Sequence, residues 1–252
     1  MKALVLGCGS IGLRHIEHLR QLGISEIEAA DPDVSAQERT RACGIEVHAS
    51  SEEALQRRPD VVLVCTPAAT HVPMVKQALA AGAHVFVEKP LSTDLFGTEE
   101  LLKRVQEDGR VVQVGYNLRY HPAVRKAMEI LESGFLGQIL TAHFEFGLYL
   151  PKWWKQKDYR TSYMANAASG GGLLFDGSHE IDLALLLMGP IQRVSALAGR
   201  LSSLEIKGSD AVKVLMETVA GGLVSINLDC LQPTYSRGFT LLGEDSGLHW
   251  DC

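Results

Sequence analysis

Three groups of residues in this chain could do chemistry. The first is Gly7-Cys8-Gly9-Ser10-Ile11-Gly12, set between an apolar run and a helical pattern. In such a turn the first glycine bends the chain, the second lets backbone approach a pyrophosphate, and the third allows close helix–strand packing. The phosphates then meet free N–H groups at a helix N-terminus. A plain glycine turn carries the same residues, so the motif needs context. Asp31 supplies it, about 20 residues further on, where such folds place an acid on the ribose hydroxyls. A carboxylate there repels a 2′-phosphate, which favours NAD and leaves NADP as the alternative. Asp31-Pro32-Asp33 is also a turn signal.

The second group is Glu88-Lys89-Pro90, directly after the strand-like run His84–Val87. A lysine at the carboxyl end of a parallel strand faces the crevice where such sheets bind ligands. Its ammonium could stabilise charge developing on a substrate oxygen. A solvated surface lysine is the ordinary alternative. Glu88 could hold that lysine or contact the nicotinamide side, and Pro90 sets the turn.

The third group is Asp176-Gly177-Ser178-His179-Glu180-Ile181-Asp182, which opens an apolar stretch ending at Met188. Asp176, His179 and Asp182 recur at helical spacing, which places side chains on one face, about 5–6 Å apart at Cβ. Histidine titrates near neutrality and suits proton exchange with a substrate hydroxyl. Asp176 could orient it, bind a hydroxyl, or simply cap the helix. Position 183 is Leu, so the zinc motif H-E-x-x-H fails, and the nine histidines show no other ligand spacing. No metal is expected.

Two architectures must position these groups. Up to Leu118 the chain alternates short Val-, Ile- and Ala-rich runs with helical patterns. The strand candidates are 2–6, 26–30, 46–49, 61–65, 84–87 and 111–114. Ile11, His15, Leu19 and Leu22 share a face of the first helix. Further helices are expected from Ser51, over 70–81 and over 98–107. Such alternation predicts an α/β Rossmann domain, a parallel doubly wound sheet covered on both faces. From Arg119 the pattern changes to a helix over 121–132 and longer alternating runs at 139–150, 192–202, 211–219 and 223–230. Val224, Ile226, Leu228 and Cys230 take one face of the last run, and Ser225, Asn227 and Asp229 the other. Ala220-Gly221-Gly222 supplies a hairpin turn. These features predict an α+β C-terminal domain with a largely antiparallel open sheet, so the expected domains are 1–118 and 119–252.

Bulk properties narrow the partners. The 252 residues carry 24 basic and 30 acidic side chains, net −6, with no basic block. Nucleic acid is therefore not expected. No apolar run approaches the roughly 20 residues of a membrane span, and no signal-peptide pattern opens the chain. The five cysteines are scattered without a C-x-x-C pair, which argues against a disulfide framework or zinc site. A cytoplasmic protein is expected.

At this point the sequence resembles a family. Thr66-Pro67, Thr70-His71 and Ala81-Gly82-Ala83-His84-Val85 lead into Glu88-Lys89-Pro90-Leu91. Gly115-Tyr116-Asn117-Leu118-Arg119-Tyr120 and Gly170-Gly171-Gly172 with Asp176, His179 and Asp182 follow. The set resembles the Gfo/Idh/MocA oxidoreductases, relatives of glucose–fructose oxidoreductase and inositol dehydrogenase. The resemblance implies hydride transfer between NAD and a hydroxyl or keto carbon of a sugar, sugar nucleotide or cyclitol. It implies Lys89, His179 and Asp176 as catalytic residues. It implies Gly7, Gly9, Ser10, Ile11, Gly12, Asp31, Cys65, Thr66, Pro67, His71, Glu88, Lys89 and Asn117 around the cofactor. Lys89, Arg119, Trp154, Tyr163, Asp176 and His179 would meet the substrate. Trp153, Tyr159, Arg160 and nearby lysines lie in a segment that borders the substrate in the family, or else form an oligomer contact. One departure concerns Asp176. Many members place this aspartate four residues before the histidine, where this chain has Phe175.

Family members usually continue beyond the Gly243-Glu244-Asp245-Ser246-Gly247 hairpin, whereas this chain ends at Cys252. An exposed sheet edge or a compensating partner is expected, with a homodimer or homotetramer formed through the C-terminal sheet. Two other functions fit the same residues: a non-catalytic NAD-binding or regulatory protein, and an enzyme that uses hydride transfer transiently with tightly bound NAD.

Overall fold

The computed structural model describes residues 1–153, 158–162, 164–165 and 171–252. They form two compact units, Met1–Gly115 and Tyr116–Cys252, divided just before the expected boundary at Leu118.

The first unit runs β1 (Lys2–Leu6), α1 (Ser10–Gln21), β2 (Glu26–Ala30), α2 (Val34–Ala42), β3 (Glu46–His48), α3 (Ser51–Leu55), β4 (Val61–Val64), α4 (His71–Ala80), β5 (His84–Val87), α5 (Thr98–Asp108) and β6 (Val112–Val114). Its sheet has the order β3-β2-β1-β4-β5-β6, parallel throughout. Both faces are covered. Leu4, Leu6, Val62, Val64 and Val85 pack to one side, while Ala3, Val5, Ile27, Ala29 and Val47 pack to the other. Two buried faces explain why these strands read as continuous apolar runs. Strand order reverses direction between β1 and β4, and open α/β sheets bind ligands outside the carboxyl ends of strands at such a switch point. Asp31-Pro32-Asp33 reads as a turn signal in the sequence, and no helix is named after it. In the structure Asp33 caps α2, its carboxylate accepting from Ala36 N at 2.7 Å, the ordinary use of Asp before a helix.

The second unit contains α6 (Pro122–Glu132), β7 (Ile139–Gly147), α7 (Leu150–Trp153), α8 (Leu173–Asp176), α9 (Ser178–Met188), β8 (Ile191–Gly199), β9 (Ala211–Thr218), β10 (Leu223–Asp229), β11 (Ser236–Gly243) and β12 (Gly247–Asp251). The strand order is β12-β11-β7-β10-β9-β8. Four of the pairings are antiparallel. The central pair, β7 with β10, is parallel, so the sheet is largely antiparallel, as the alternating runs imply. Alternation of apolar and polar residues is the same in both kinds of strand, so pattern alone cannot set direction. A parallel pair needs a long crossover, and the chain between β7 and β10 supplies one. Val224, Ile226, Leu228, Phe144 and Phe239 face a core shared with Leu183, Ala184 and Leu187 of α9 and Val124 and Ala127 of α6. Each of the valine, leucine, isoleucine and phenylalanine side chains contributes about 1.5–3 kcal/mol by burial. Gly221, at φ +90°, makes the turn between β9 and β10.

Among the described residues no helix is long and apolar enough to cross a membrane.

Candidate cofactor and active site

The glycine turn leaves β1 and enters α1. Gly7 has φ +93°, and a Cβ there would lie 2.7 Å from the Cys65 carbonyl oxygen. A Cβ at Gly12 would lie 1.9 Å from the Gly7 carbonyl oxygen. Both positions therefore exclude a side chain for packing reasons inside the unit. Gly9 differs: its Cβ position meets nothing within 4 Å. It is the N-cap of α1, with no side-chain cap and no acid in the first turn. Exposed Ser10 and Ile11 follow it. Unclaimed helix N–H donors beside bare backbone fit a pyrophosphate. Asp31 stands beside the turn, its Oδ2 accepting from Cys8 N at 2.7 Å and its Oδ1 from Asp33 N at 2.8 Å. The carboxylate is thus held against the second residue of the glycine motif, at the end of β2.

The ends of β4 and β5 continue the same rim. Cys65 N donates to Leu6 O at 2.7 Å and Glu88 N to Val64 O at 2.9 Å, so Gly7, Cys65-Thr66-Pro67 and Glu88-Lys89-Pro90 follow one another along the carboxyl edge. Burial pushes the Cys65 thiol up, and the charge of Glu88 adds to this. Cys65 is therefore a neutral thiol, unsuited to nucleophilic work. Pro90 is buried and follows Lys89 through a cis bond.

Two histidines join this rim. His15 Nε2 lies 2.7 Å from Glu88 Oε1, and Glu88 Oε2 accepts from Lys89 N at 3.2 Å. Burial raises the Glu88 carboxyl. The bond and charge of His15, with the N–H and charge of Lys89, outweigh it and hold Glu88 below the usual carboxylate range. In the sequence His15 shares one face of the first helix with Ile11, Leu19 and Leu22; a polar ring on an apolar face is the available signal for a partner. His71 was expected beside the cofactor. Its ring is buried at 1% exposure. Nδ1 lies 2.8 Å from Pro90 O and Nε2 lies 2.8 Å from Thr66 O. It supports the rim from behind.

In the second unit, Asn117 and Arg119 lie on a 3-10 turn, Asn117–Tyr120. Arg119 donates through Nε to Asp182 Oδ2 at 2.8 Å and through Nη2 to Asp182 Oδ1 at 2.6 Å. The Tyr116 and His179 rings meet edge to face at 5.7 Å. Burial, with the Asp182 charge, raises the Tyr116 phenol. Asp182, expected beside His179, is thus committed to Arg119. Asp176 does not share a helix with His179. It ends α8, and Gly177 separates it from α9. Gly177 packs closely there: a Cβ at residue 177 would lie 2.8 Å from Leu228 Cδ1. The N-cap position of α9 is Gly177, one residue after Asp176. Glu180 was missed by sequence reasoning. It lies 2.8 Å from Arg237 Nε, whose guanidinium stands 4.3 Å over the Phe146 ring.

Trp154 and Tyr163, both expected at the substrate, lie outside the described residues. Trp153 stacks on Tyr235 at 5.6 Å. Tyr159 Oη accepts from Glu205 N, and Arg160 pairs with Asp158 and Glu205. Among the described residues no cluster of three or more His, Cys, Asp or Glu could hold a metal ion.

Comparison with known proteins agrees with this architecture. Residues 1–116 match the model of an oxidoreductase family with an NAD-binding Rossmann fold. Residues 124–249 match the Gfo/Idh/MocA C-terminal domain. The uncharacterized oxidoreductase YrbE of Bacillus subtilis is 31% identical over 190 residues, 73% of this chain and 53% of its own. The dTDP-3,4-didehydro-2,6-dideoxy-alpha-D-glucose 3-reductase of Streptomyces violaceoruber is 28% identical over 256 residues, 98% of this chain and 71% of its own. The crystal structure of GenD2 from gentamicin A biosynthesis, in complex with NAD, is 27% identical with a TM-score of 0.86, covering 100% of this chain and 72% of that one. The chain thus spans about half the length of the first relative. It belongs to the Gfo/Idh/MocA oxidoreductase family, and its first unit is the family's NAD-binding Rossmann domain.

Proposed function

We propose that this protein transfers hydride between NAD and a hydroxyl or keto carbon of a sugar, sugar nucleotide or cyclitol. The observation that carries this reading is the carboxyl edge of the first sheet. There the glycine turn after β1 and Lys89 after β5 project to the same side. A relative that reduces a dTDP-linked deoxysugar supports the substrate class.

The nicotinamide, when bound, accepts or delivers the hydride. The chain supplies the rest. Gly9, Ser10 and Ile11 at the start of α1 receive the pyrophosphate, and Asp31 accepts from the ribose hydroxyls, disfavouring a 2′-phosphate. Cys65, Thr66, Pro67, Glu88 and Asn117 complete the cofactor contacts, His71 acting from behind through backbone. The Lys89 ammonium stabilises negative charge on the substrate oxygen during alcohol oxidation and polarises the carbonyl in reverse. His179 takes or returns the hydroxyl proton, with its ring set edge-on by Tyr116. Asp176 binds a substrate hydroxyl, and the Arg119–Asp182 pair fixes the start of α9.

We propose further that the protein self-associates through the outer face of the second sheet. Leu197, Leu215, Leu223 and Leu242 are each 48–79% exposed and lie on that face by strand register. Sedimentation showing a monomer at every concentration would end this second proposal.

The test of function is a screen of sugars, sugar nucleotides and cyclitols for change in NADH absorbance. Lys89→Ala and His179→Ala serve as controls. Turnover lost in both variants supports the reading. NAD binding without turnover on any substrate overturns it in favour of a binding protein. Bound cofactor that never exchanges overturns it in favour of transient hydride transfer.

A further inference from the structure

Lys89 is the group on which the proposed chemistry turns, and the residues on each side of it are bonded to a different histidine. On one side, the Glu88 carboxylate meets His15 of α1 at 2.7 Å and accepts from the Lys89 amide with its other oxygen. On the other side, Pro90 O meets His71 of α4 at 2.8 Å. The second nitrogen of His71 is 2.8 Å from Thr66 O, so one ring spans the chain ends after β4 and β5.

Neither histidine serves simply as filler. The side chains of His15 and Glu88 are only 18% and 22% exposed. Drawing a carboxylate that far from water carries a desolvation cost that an apolar pair would avoid. The His15 ring is also aligned by Phe86, edge-on at 5.1 Å. The end of β6 is bare where this assembly packs: a Cβ at Gly115 would lie 2.9 Å from Phe86 Cζ and 3.4 Å from Glu88 Oε2. His71 is buried among backbone, and a ring between two carbonyls must donate to at least one. A leucine of similar size would leave both carbonyls without that donor.

We propose that His15 and His71 are positioning residues for Lys89, fixing the backbone before and after it from the dinucleotide-binding helix α1 and from α4. His15 ties the Lys89 turn to the helix whose N-terminus receives the cofactor. His71 ties the same turn to the neighbouring Thr66-Pro67 strand end. The role of Lys89 in turnover rests on the function proposed above; its placement does not.

The experiment reads placement and turnover separately. Lysines are reductively methylated with carbon-13 formaldehyde, and the Lys89 resonance is identified by its loss in Lys89→Arg. His15→Leu and His71→Leu should each shift that resonance and leave those of distant lysines in place. On a substrate found in the screen, kcat should fall roughly 10-fold or more, with the Kd for NADH within about 3-fold of wild type. His15→Gln keeps an N–H for Glu88 and should restore both resonance and kcat. His71→Gln, which keeps one donor, serves if His71→Leu does not fold, and should give an intermediate shift. A Lys89 resonance unmoved in both the His15→Leu and His71 variants overturns the proposal, as does equal damage by His15→Gln and His15→Leu. If Lys89→Ala keeps full turnover, the functional reading fails while the resonance arm still decides positioning.

Discussion

Arg119 holds Asp182 with two parallel bonds, Nε to Oδ2 at 2.8 Å and Nη2 to Oδ1 at 2.6 Å. The arginine side chain is 45% exposed and the aspartate 7%, so the pair is asymmetric. Asp182 has lost its water and depends on the guanidinium, whereas Arg119 keeps much of its own hydration. Arg119→Met should therefore destabilise the protein by about 2–4 kcal/mol, because it strands a buried carboxylate. Asp182→Leu added to Arg119→Met should recover a large part of that loss. Urea unfolding of the two single variants and the double variant checks both expectations. Equal losses that simply add would show that the pair is not coupled.

The glycines of the first turn should separate folding from binding. Gly12→Ala places a Cβ 1.9 Å from the Gly7 carbonyl oxygen, so the turn must open and thermal stability must fall. Gly9→Ala meets nothing within 4 Å and should leave the melting temperature nearly unchanged. It should still weaken NADH binding about 10-fold or more, since backbone can no longer approach the pyrophosphate. Calorimetric titration beside a melting curve distinguishes the two.

Asp31 should govern the choice between cofactors. Its carboxylate is fixed by the Cys8 and Asp33 amides, so it cannot easily turn from an added 2′-phosphate. Asp31→Ser should raise the NADPH-to-NADH ratio of kcat/KM by about 10-fold or more, as a charge repulsion is removed. Part of this would come from weaker NADH use. A wild-type enzyme that already prefers NADPH would contradict the assignment.

Asp210 gives a pH signature independent of the proposed chemistry. It is fully buried and accepts from Leu201 N at 2.7 Å, Ser202 N at 2.8 Å and Ser202 Oγ at 2.5 Å. Burial pushes its carboxyl up, but the Ser202 hydroxyl and the two amides hold it below the usual range. A lowered folded value means stability that is fully present above the unfolded carboxylate value. That stability is lost as pH falls through the folded one. Asp210→Asn should cost about 1–3 kcal/mol near neutrality. The gap to wild type should stay flat above about pH 5 and narrow below about pH 4. Denaturant titrations across that range measure it.

The sequence by itself determined the first unit nearly completely. Short apolar runs between helical patterns leave little choice but a doubly wound parallel sheet. Gly7, Asp31 and Lys89 follow the ends of β1, β2 and β5, and Gly12 lies in the first turn of α1. These are local constraints, set by turns and by strand position. Tertiary structure decided what depends on partners distant in sequence. The parallel pairing of β7 with β10 leaves the same alternation as an antiparallel pair. Asp176 was separated from His179 by the break at Gly177 between α8 and α9. Asp182 was taken by Arg119, Glu180 by Arg237, Glu88 by His15, and His71 was turned inward to two carbonyls. A side chain's spacing along a helix fixes the face it occupies, but its partner comes from whichever element folds onto that face.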